Sequence, residues 1–308
     1  MGKKTKDVPG IIKEYLNYLE VIQEMSRGTV YLYKINLKIF AEFLKTTHKF
    51  KDKDFNEDLI REIELNDLYD FLNYIKNDRG NSPASRANKI ATLKSFFKYC
   101  TEKIKIIQIN PCSELEAPRQ AKRQVNYLTL EESEKLLKSI DSRNYERDFC
   151  IATIFLNCGL RLSELCNIKL TDIKKDTLVV RGKGNKDRTV YLNESCLSAI
   201  KEYREVRKKV KSKYLFLSER DNPLSKRQVQ YIIQHSIEAA GLDTDKYTVH
   251  KLRHTAATLL HKYAEVDIRT LQEILGHKNI STTTIYTHVD DDSIRQAVKA
   301  NPLNIRKK

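Results

Sequence analysis

The feature that most constrains the fold is a break in the helical pattern at residues 110–126. This segment, NPCSELEAPRQAKRQVN, holds two prolines and a basic run, and its apolar residues do not recur at helical spacing. Proline ends or kinks a helix because it lacks an amide donor. The chain of 308 residues is long enough for two domains that each bury a core. We therefore predict an N-terminal domain over residues 1–109, a linker over 110–126 and a second domain over 127–308.

Apolar residues at helical spacing predict that the first domain is a small bundle of helices. One helix begins with Ser82 as its N-cap and Pro83 in its first turn. Two others lie near residues 11–25 and over LNDLYDFLNYIKN. In a further helix, LYKINLKIFAEFL, the predicted core face consists of Leu32, Ile35, Ile39 and Phe43.

The second domain is predicted to be mixed, mainly helical with a small β-sheet. A helix over RDFCIATIFLNC ends at Gly159, and DTLVVRGKGNKDRTVYL has the two β-branched runs of a hairpin. The helix DIRTLQEIL ends at Gly276. Other helices are predicted at TLEESEKLLKSI, where Thr129 and Glu132 form a capping box, at SCLSAIKEYREVRKKV, at SKRQVQYIIQHSIEAAG and over residues 250–263.

The charge of the chain favours a polyanionic partner. The formal net charge is +15 and there is no acidic tail, although a merely lysine-rich composition is the alternative. Six scattered cysteines form no CxxC pair, which favours reduced thiols over disulfides or zinc ligands. No apolar run could span a bilayer, and no apolar signal segment follows the charged N-terminus. We therefore expect a cytoplasmic protein without a membrane partner.

An arginine stands at a helix start in CGLRLSELCNI. Arg161 comes directly before the new helix, and Glu164 lies three residues further on. A cation is unfavourable at a helix N-terminus, so Arg161 requires an anion nearby. Glu164 could hold it in position with a phosphate as its target, and an ordinary surface pair of the two residues is the alternative.

HKLRHTAATLLH places chemistry-bearing side chains on one helix. His250 and His254 have the spacing of a zinc-binding helix, but Lys251 stands where the HExxH motif requires glutamate. We therefore predict no metal site. His250 and Arg253, three residues apart on one face, suit a single phosphate better.

Two further stretches offer candidate site residues. The hairpin tip, GKGNKDR, is not a Walker loop, but it carries Lys183, Lys186 and Arg188 on a protruding arm that could reach a DNA strand. In GHKNISTTTIYTHV, His277 follows a glycine helix end and Tyr286 comes nine residues later. A half-buried packing tyrosine is the alternative for Tyr286.

Taken together, these side chains are the ones that phosphoryl transfer to a phenol requires. Fixed guanidinium groups neutralise the charge that develops on the non-bridging oxygens of phosphorus. A phenol, with a pKa of about 10, is a weak nucleophile unless a cationic field eases its proton away. A lysine on a loop can protonate the departing sugar oxygen.

In this order, the motifs resemble those of the tyrosine recombinases (the phage integrase family), and most of all the Xer recombinases of bacteria and archaea. The resemblance covers roughly residues 11–302 and includes NCGLRLSELCNIKLTDI, GKGNKDRTVYL, HKLRHTAATLL and ILGHKNISTTTIYTHV. It implies that Tyr286 is the nucleophile and that Glu164 supports the site. By position, the implied catalytic residues are Arg161, Lys183, His250, Arg253, His277 and Tyr286.

The resemblance also implies a fold and an activity. An all-α, SAM-like core-binding domain and a mixed, mainly α catalytic domain would clamp duplex DNA, which is cleaved and rejoined through a 3′-phosphotyrosyl bond without metal or cofactor. The implied partners are a double-stranded DNA target site, three further protomers of a homo- or hetero-tetramer, in the second case with a paralogous recombinase, and a DNA translocase as activator.

The expected role is chromosome dimer resolution. The alternatives are an integrase of a mobile element, a DNA-binding protein with a dead site and a type IB topoisomerase. Further DNA contacts are predicted for Arg86, Lys89, Lys94, Arg188, Lys226 and Arg227.

Overall fold

Two units, Met1–Lys122 and Arg123–Lys308, make up the chain, and each encloses its own hydrophobic core. The computed structural model describes residues 8–51, 53–116, 118, 126–181, 187–207, 210–264 and 266–276. Its first unit is helical and its second is mainly helical with a two-stranded sheet, as the sequence predicted. Within these ranges, no helix combines the length and the apolar character needed to cross a bilayer.

The first unit is a bundle in which the second helix packs against three of its neighbours. Side-chain oxygens of Ser26, Asn56 and Ser82 accept hydrogen bonds from amides three residues further on and so cap three helix starts. The predicted start at Ser82 and Pro83 is thereby confirmed. The elements are α1 (Gly10–Asn17), a π-helical turn (Tyr18–Ile22), α2 (Arg27–Leu44), α3 (Glu57–Arg61), α4 (Leu65–Asn77) and α5 (Pro83–Glu102), with α2 contacting α1, α4 and α5.

The core face of α2 is only partly the predicted one: Phe43 is buried and Ile39 packs against the core, as predicted, but the other two predicted residues do not. Leu37, Phe40 and Leu44 are fully buried, whereas Leu32 is 43% exposed and Ile35 is 38% exposed. Two apolar series run along this helix at helical spacing. Spacing alone therefore could not decide which of the two meets the bundle.

The predicted linker begins inside the first unit. Cys112 and Leu115 are buried and belong to the first hydrophobic core. The side chain of Asn110 accepts a hydrogen bond from the amide of Cys112 (2.8 Å), which fixes the turn there. The chain thus leaves this core after Leu115 rather than at residue 109. Residues 117 and 119–125 lie outside the described part.

The second unit is built around one central helix, α7, whose side chains are buried almost all round. Helices α6, α9, α10 and α11 pack against it. The predicted capping box of Thr129 and Glu132 is present at the start of α6. The elements are α6 (Leu130–Lys138), α7 (Tyr145–Cys158), α8 (Leu162–Cys166), a 3-10 turn (Leu170–Asp172), β1 (Thr177–Arg181), β2 (Asp187–Tyr191), α9 (Glu194–Val206), α10 (Lys226–Ala239), α11 (Val249–Tyr263) and α12 (Ile268–Leu275).

The predicted hairpin is confirmed by strands β1 and β2. They pair antiparallel, from Thr177 opposite Tyr191 to Arg181 opposite Asp187. Residues 182–186 at its tip lie outside the described part.

Two glycines end helices where the chain needs both a left-handed conformation and a close approach. Gly159 ends α7 with φ +57° and Gly276 ends α12 with φ +64°, as predicted. A Cβ on Gly159 would lie 2.9 Å from Leu275 Cδ2, and a Cβ on Gly276 would lie 2.6 Å from Arg188 Cδ. The end of α12 is therefore pressed against both the end of α7 and the side chain of a hairpin residue.

Candidate active site at the end of α12

Arg161 is held by Glu164 where α8 begins. The backbone amide of Arg161 donates to Glu164 Oε2 (2.7 Å), and its Nη1 donates to Glu164 Oε1 (2.7 Å). The Glu164 side chain is 1% exposed, whereas that of Arg161 is 32% exposed. The pair is therefore not an ordinary surface pair: a buried carboxylate fixes a guanidinium group that stays accessible to an anion.

Arg188 points inwards instead of projecting from the hairpin. Its side chain is 14% exposed, and its Nη2 donates to Glu164 Oε2 (3.0 Å). Its Nη1 donates to the carbonyl oxygen of Ile274 (2.7 Å). Burial lowers the pKa of the Arg188 guanidinium, an effect that the neighbouring Glu164 opposes. The prediction that Arg188 contacts DNA from a protruding arm is corrected, because the side chain is engaged inside the unit.

Three arginines from different elements donate to three successive carbonyl oxygens at the end of α12. The pairs are Arg188 Nη1 with Ile274 O (2.7 Å), Arg253 Nη2 with Leu275 O (2.7 Å) and Arg161 Nη2 with Gly276 O (3.0 Å). The last carbonyls of a helix have no partner within the helix and carry partial negative charge. Cationic side chains from β2, α11 and the start of α8 therefore meet at the end of α12, directly before His277 in the sequence.

Arg253 is the most enclosed of the three. It is 4% exposed, and its Nη1 donates to Gly159 O at the end of α7. It thus bridges the ends of two helices, which holds its guanidinium group in one orientation.

Positive charge exceeds the paired negative charge here. Arg161 and Arg188 share the single carboxylate of Glu164 and so carry one positive charge more than it can neutralise. Buried charges require partners, and a guanidinium fork matches an anion that offers several oxygens. The arrangement is suited to a phosphodiester.

His250 lies beside these arginines on the first turn of α11. Partial burial lowers its pKa, and the nearby cations Arg253, Lys251 and Arg161 lower it further. The ring of His254 packs edge-on against that of His250 with 5.7 Å between centroids, and burial is the main reason why the pKa of His254 falls to about 4. Both rings are therefore neutral at neutral pH and able to donate one hydrogen bond and accept another. In the described ranges, no group of three or more His, Cys, Asp or Glu side chains could hold a metal ion.

A groove of about 710 Å³ runs from His250 along α10. Arg227, Gln230 and Gln234 are among the residues that line it. The predicted DNA contacts Lys226 and Arg227 are exposed in the first turn of α10. Both side chains are accessible, and the N-terminus of a helix favours anions. This position is therefore compatible with phosphate binding.

The three DNA contacts predicted on α5 differ in accessibility. Lys94 is exposed and Arg86 is half-buried. Lys89 is 8% exposed and donates to Ser85 Oγ (3.0 Å), and burial is the main cause of its lowered pKa. The predicted DNA contact of Lys89 is therefore corrected, because its side chain is buried and engaged within α5.

Part of the predicted site lies outside the described residues, namely Lys183, Lys186, His277 and Tyr286. Their roles stay predictions. The structure brings together Arg161, Glu164, Arg253 and His250, which belong to two separate sequence motifs.

Sequence reasoning missed the inward orientation of Arg188, although the hairpin holds a signal for it. Arg188 lies two residues before Val190 on β2, and Val190 is buried. It is paired with Val180 on β1, which is buried as well. The period of two along a strand thus places the arginine on the inner face.

Two family models match this chain. The model described as phage integrase family matches residues 126–293, and the one described as phage integrase, N-terminal SAM-like domain, matches residues 12–103. Tyrosine recombinase XerC of Caldanaerobacter subterraneus subsp. tengcongensis is 51% identical, over 96% of this chain and 88% of its own. Tyrosine recombinase XerD of Listeria innocua is 31% identical, over 94% of this chain and 97% of its own.

Solved structures resemble the chain as well. XerH site-specific recombinase in a post-cleavage complex with a palindromic difH substrate is 26% identical, with a TM-score of 0.72 over 88% of this chain and 79% of that one. A lambda integrase dimer bound to a COC′ core site is 21% identical, with a TM-score of 0.71 over 90% of this chain and 93% of that one. The second likeness concerns the fold alone.

Proposed function

Since this chain belongs to the phage integrase family, as a tyrosine recombinase of Xer type that cleaves and rejoins DNA at specific sites, we propose that its role is the resolution of chromosome dimers. The observation that carries the active-site assignment is that Arg161 and Arg253 donate to successive carbonyl oxygens at the end of α12, with His250 beside them. These groups come from two distant motifs, and the two arginines form a cationic site beside the neutral ring of His250, directly before His277 in the sequence.

In the proposed reaction, the phenol of Tyr286 releases its proton to solvent as its oxygen attacks a DNA phosphorus, and the bond from that phosphorus to the 5′-oxygen breaks. Arg161 and Arg253 neutralise the charge that develops on the non-bridging oxygens, and Lys183 gives a proton to the departing 5′-oxygen. The new 3′-phosphotyrosyl bond keeps the energy of the broken phosphodiester. Rejoining is the reverse reaction, in which a 5′-hydroxyl attacks and releases Tyr286.

His250 and His277 are assigned to the same phosphate. The lowered pKa of His250 keeps its ring neutral at neutral pH, so it offers one N–H donor without adding charge beside Arg161 and Arg253. Glu164 acts on Arg161 rather than on DNA, because its oxygens are already engaged by arginines.

The assembly is part of the proposal too. We infer that four protomers act on two DNA sites, as a homo-tetramer or together with a paralogous recombinase, with a DNA translocase as activator and in the cytoplasm. The tail DDDSIRQAVKANPL is assigned to docking on a neighbouring protomer, and it lies outside the described residues. Relatives named XerC and XerD support the Xer type.

Covalent trapping tests this function. The wild-type protein and the Tyr286→Phe variant are mixed with sheared genomic DNA from the source organism and denatured with detergent, and the DNA that remains attached to protein is sequenced. We expect an adduct from the wild type at one short, nearly palindromic chromosomal site, and none from the variant, because phenylalanine lacks the attacking oxygen.

Two other results of the trapping experiment would contradict parts of the proposal. An adduct at the ends of a mobile element would identify an integrase instead of a dimer resolvase. An adduct formed by Tyr286→Phe would refute Tyr286 as nucleophile. The control is DNA affinity, measured by fluorescence anisotropy, which Tyr286→Phe should leave unchanged because the phenol contributes to chemistry and not to phosphate binding.

A further inference from the structure

Arg188 connects two parts of the candidate site from the inner face of the hairpin. One end of its guanidinium group donates to Glu164 Oε2 (3.0 Å) and the other to Ile274 O (2.7 Å). Its side chain is 14% exposed, compared with 32% for Arg161. Arg188 is thus placed to hold other groups of the site in position, while Arg161 remains accessible.

Glu164 is the group on which Arg188 acts most directly. Its Oε1 accepts from Arg161 Nη1, and its Oε2 accepts from both the Arg161 amide and Arg188 Nη2. The last torsion of a glutamate is broad, so a carboxylate with few donors can rotate. The donor from Arg188 opposes that rotation and keeps Oε1 directed at the guanidinium group of Arg161.

The end of α12 holds Arg188 itself in place. A Cβ on Gly276 would lie 2.6 Å from Arg188 Cδ and 2.7 Å from its Nε, so the side chain rests directly on the backbone there. The Nε of Arg188 is buried and has no hydrogen-bond partner within the described ranges. A buried donor without a partner costs stability, which argues against a purely stabilising role.

We propose that Arg188 is a positioning residue of the recombination reaction: anchored on the end of α12, it orients Glu164 and thereby the guanidinium group of Arg161. It does not contact DNA. The proposal rests on the proposed role of Arg161 in binding the reacting phosphate.

The test compares changes at Arg188 with a matched change on the other strand. Arg181 on β1 is also a hairpin arginine paired with a carboxylate, Asp187 (3.6 Å), but its side chain is 63% exposed. Arg188→Gln and Arg181→Gln remove the same charge, and Arg188→Lys keeps the charge without the fork that reaches both acceptors. Each variant is checked for folding by its thermal unfolding, and all rates are measured well below the unfolding midpoints.

The measured quantities are the rate of covalent adduct formation on source genomic DNA at saturating protein, and the affinity for a random 40-bp duplex. For Arg188→Gln and Arg188→Lys we expect the rate to fall at least about tenfold, because misplacement of a charge-stabilising group acts on the chemical step. Affinity should change by less than about threefold, and Arg181→Gln should leave the rate within about twofold of the wild type.

A double-variant cycle with Glu164→Gln distinguishes positioning from general stabilisation. If Arg188 acts through Glu164, the double variant should be no more than about threefold slower than the slower single variant, because both changes break the same chain of contacts. Multiplicative losses would overturn the proposal. So would a wild-type rate in Arg188→Gln, or a loss of DNA affinity that equals its loss of rate.

Hydrogen exchange of the DNA-free protein provides a readout that does not depend on cleavage. The Arg161 amide, which donates to Glu164 Oε2, should exchange at least about tenfold faster in Arg188→Gln and at the wild-type rate in Arg181→Gln. Unchanged exchange in Arg188→Gln would overturn the proposal. If the wild type forms no adduct, the proposed function fails, and this measurement still decides whether Arg188 holds the carboxylate.

If Arg188→Gln does not fold, Gly276→Ala replaces it. Its Cβ would displace the Arg188 side chain while leaving every charge in place. It should slow adduct formation as Arg188→Lys does, and a wild-type rate would overturn the proposal.

Discussion

His254 shows how burial of a single side chain couples the stability of the second unit to pH. Burial, and then the cations and the ring around it, lower its pKa to about 4, whereas an unperturbed histidine titrates near 6.5. Between these values the unfolded chain binds a proton that the folded chain does not. The free energy of unfolding therefore decreases as the pH falls from about 6.5 to about 4.

We predict that His254→Gln removes part of this decrease, because glutamine does not titrate. The free energy of unfolding of both proteins is measured by urea denaturation at pH 7, 5.5 and 4.5. The side chain is partly exposed, so solvent screening makes the effect smaller than the full shift implies. Equal slopes of unfolding free energy against pH in the two proteins would contradict the prediction.

The residue types of the candidate site could be picked out from the sequence, whereas the orientation of their side chains could not. Arg161 at a helix start and His250 next to Arg253 on one face each indicate an anion from the sequence alone. Lys89 was misjudged because its position on α5 is close to the border between the buried and exposed faces. The neighbours of α5 decide on which side such a residue lies, and they come from distant parts of the chain.

At the scale of helices and strands, the ends were easier to predict than the buried faces. Capping residues and glycine stops are local signals, and those at Ser82, Thr129, Gly159 and Gly276 are confirmed. The buried face of α2 depends on which apolar series meets the other helices, and this information is not local. The same limit applies to the three carbonyl groups at the end of α12, since their partners come from elements far apart in sequence.

The glycine that ends α7 permits a prediction at this scale. Gly159→Ala forces an alanine into the left-handed conformation at φ +57°, where it is strained. It also places a Cβ 2.9 Å from the side chain of buried Leu275. Gly241→Ala is the matched control, because its φ is +63° and the nearest atom to its Cβ is Lys135 Nζ at 3.7 Å. Strain alone costs about 1 kcal/mol in both, and crowding should add about 1–3 kcal/mol at Gly159 only.

Chemical denaturation of the two alanine variants measures the difference. We also expect Gly159→Ala to slow adduct formation, because Gly159 O accepts a hydrogen bond from Arg253. Equal losses of unfolding free energy in the two variants would show that the contact with Leu275 is not tight.

At the scale of the whole molecule, the order of the motifs carried more information than any one motif. Arg161 and His250 lie 89 positions apart, and neither distinguishes a recombinase from other phosphate-binding proteins. Their order along the chain, with a hairpin between them, made the family resemblance specific. The chain leaves the first core only after Leu115, a point that composition could not show because Cys112 and Leu115 lie in a proline-containing segment.

The net charge of +15 leads to a prediction for DNA binding as a whole. A protein that neutralises about 6–10 phosphates should lose affinity with a slope of about −5 to −9 in a plot of log affinity against log salt concentration. Arg227→Gln should reduce the magnitude of this slope by about 1, because Arg227 is exposed in the groove that begins at His250. Lys201→Gln removes the same charge from a different groove, of about 500 Å³, that contains no residue of the candidate site. Its slope should equal that of the wild type, and equal changes in both variants would mean that net charge, rather than the position of Arg227, governs the binding.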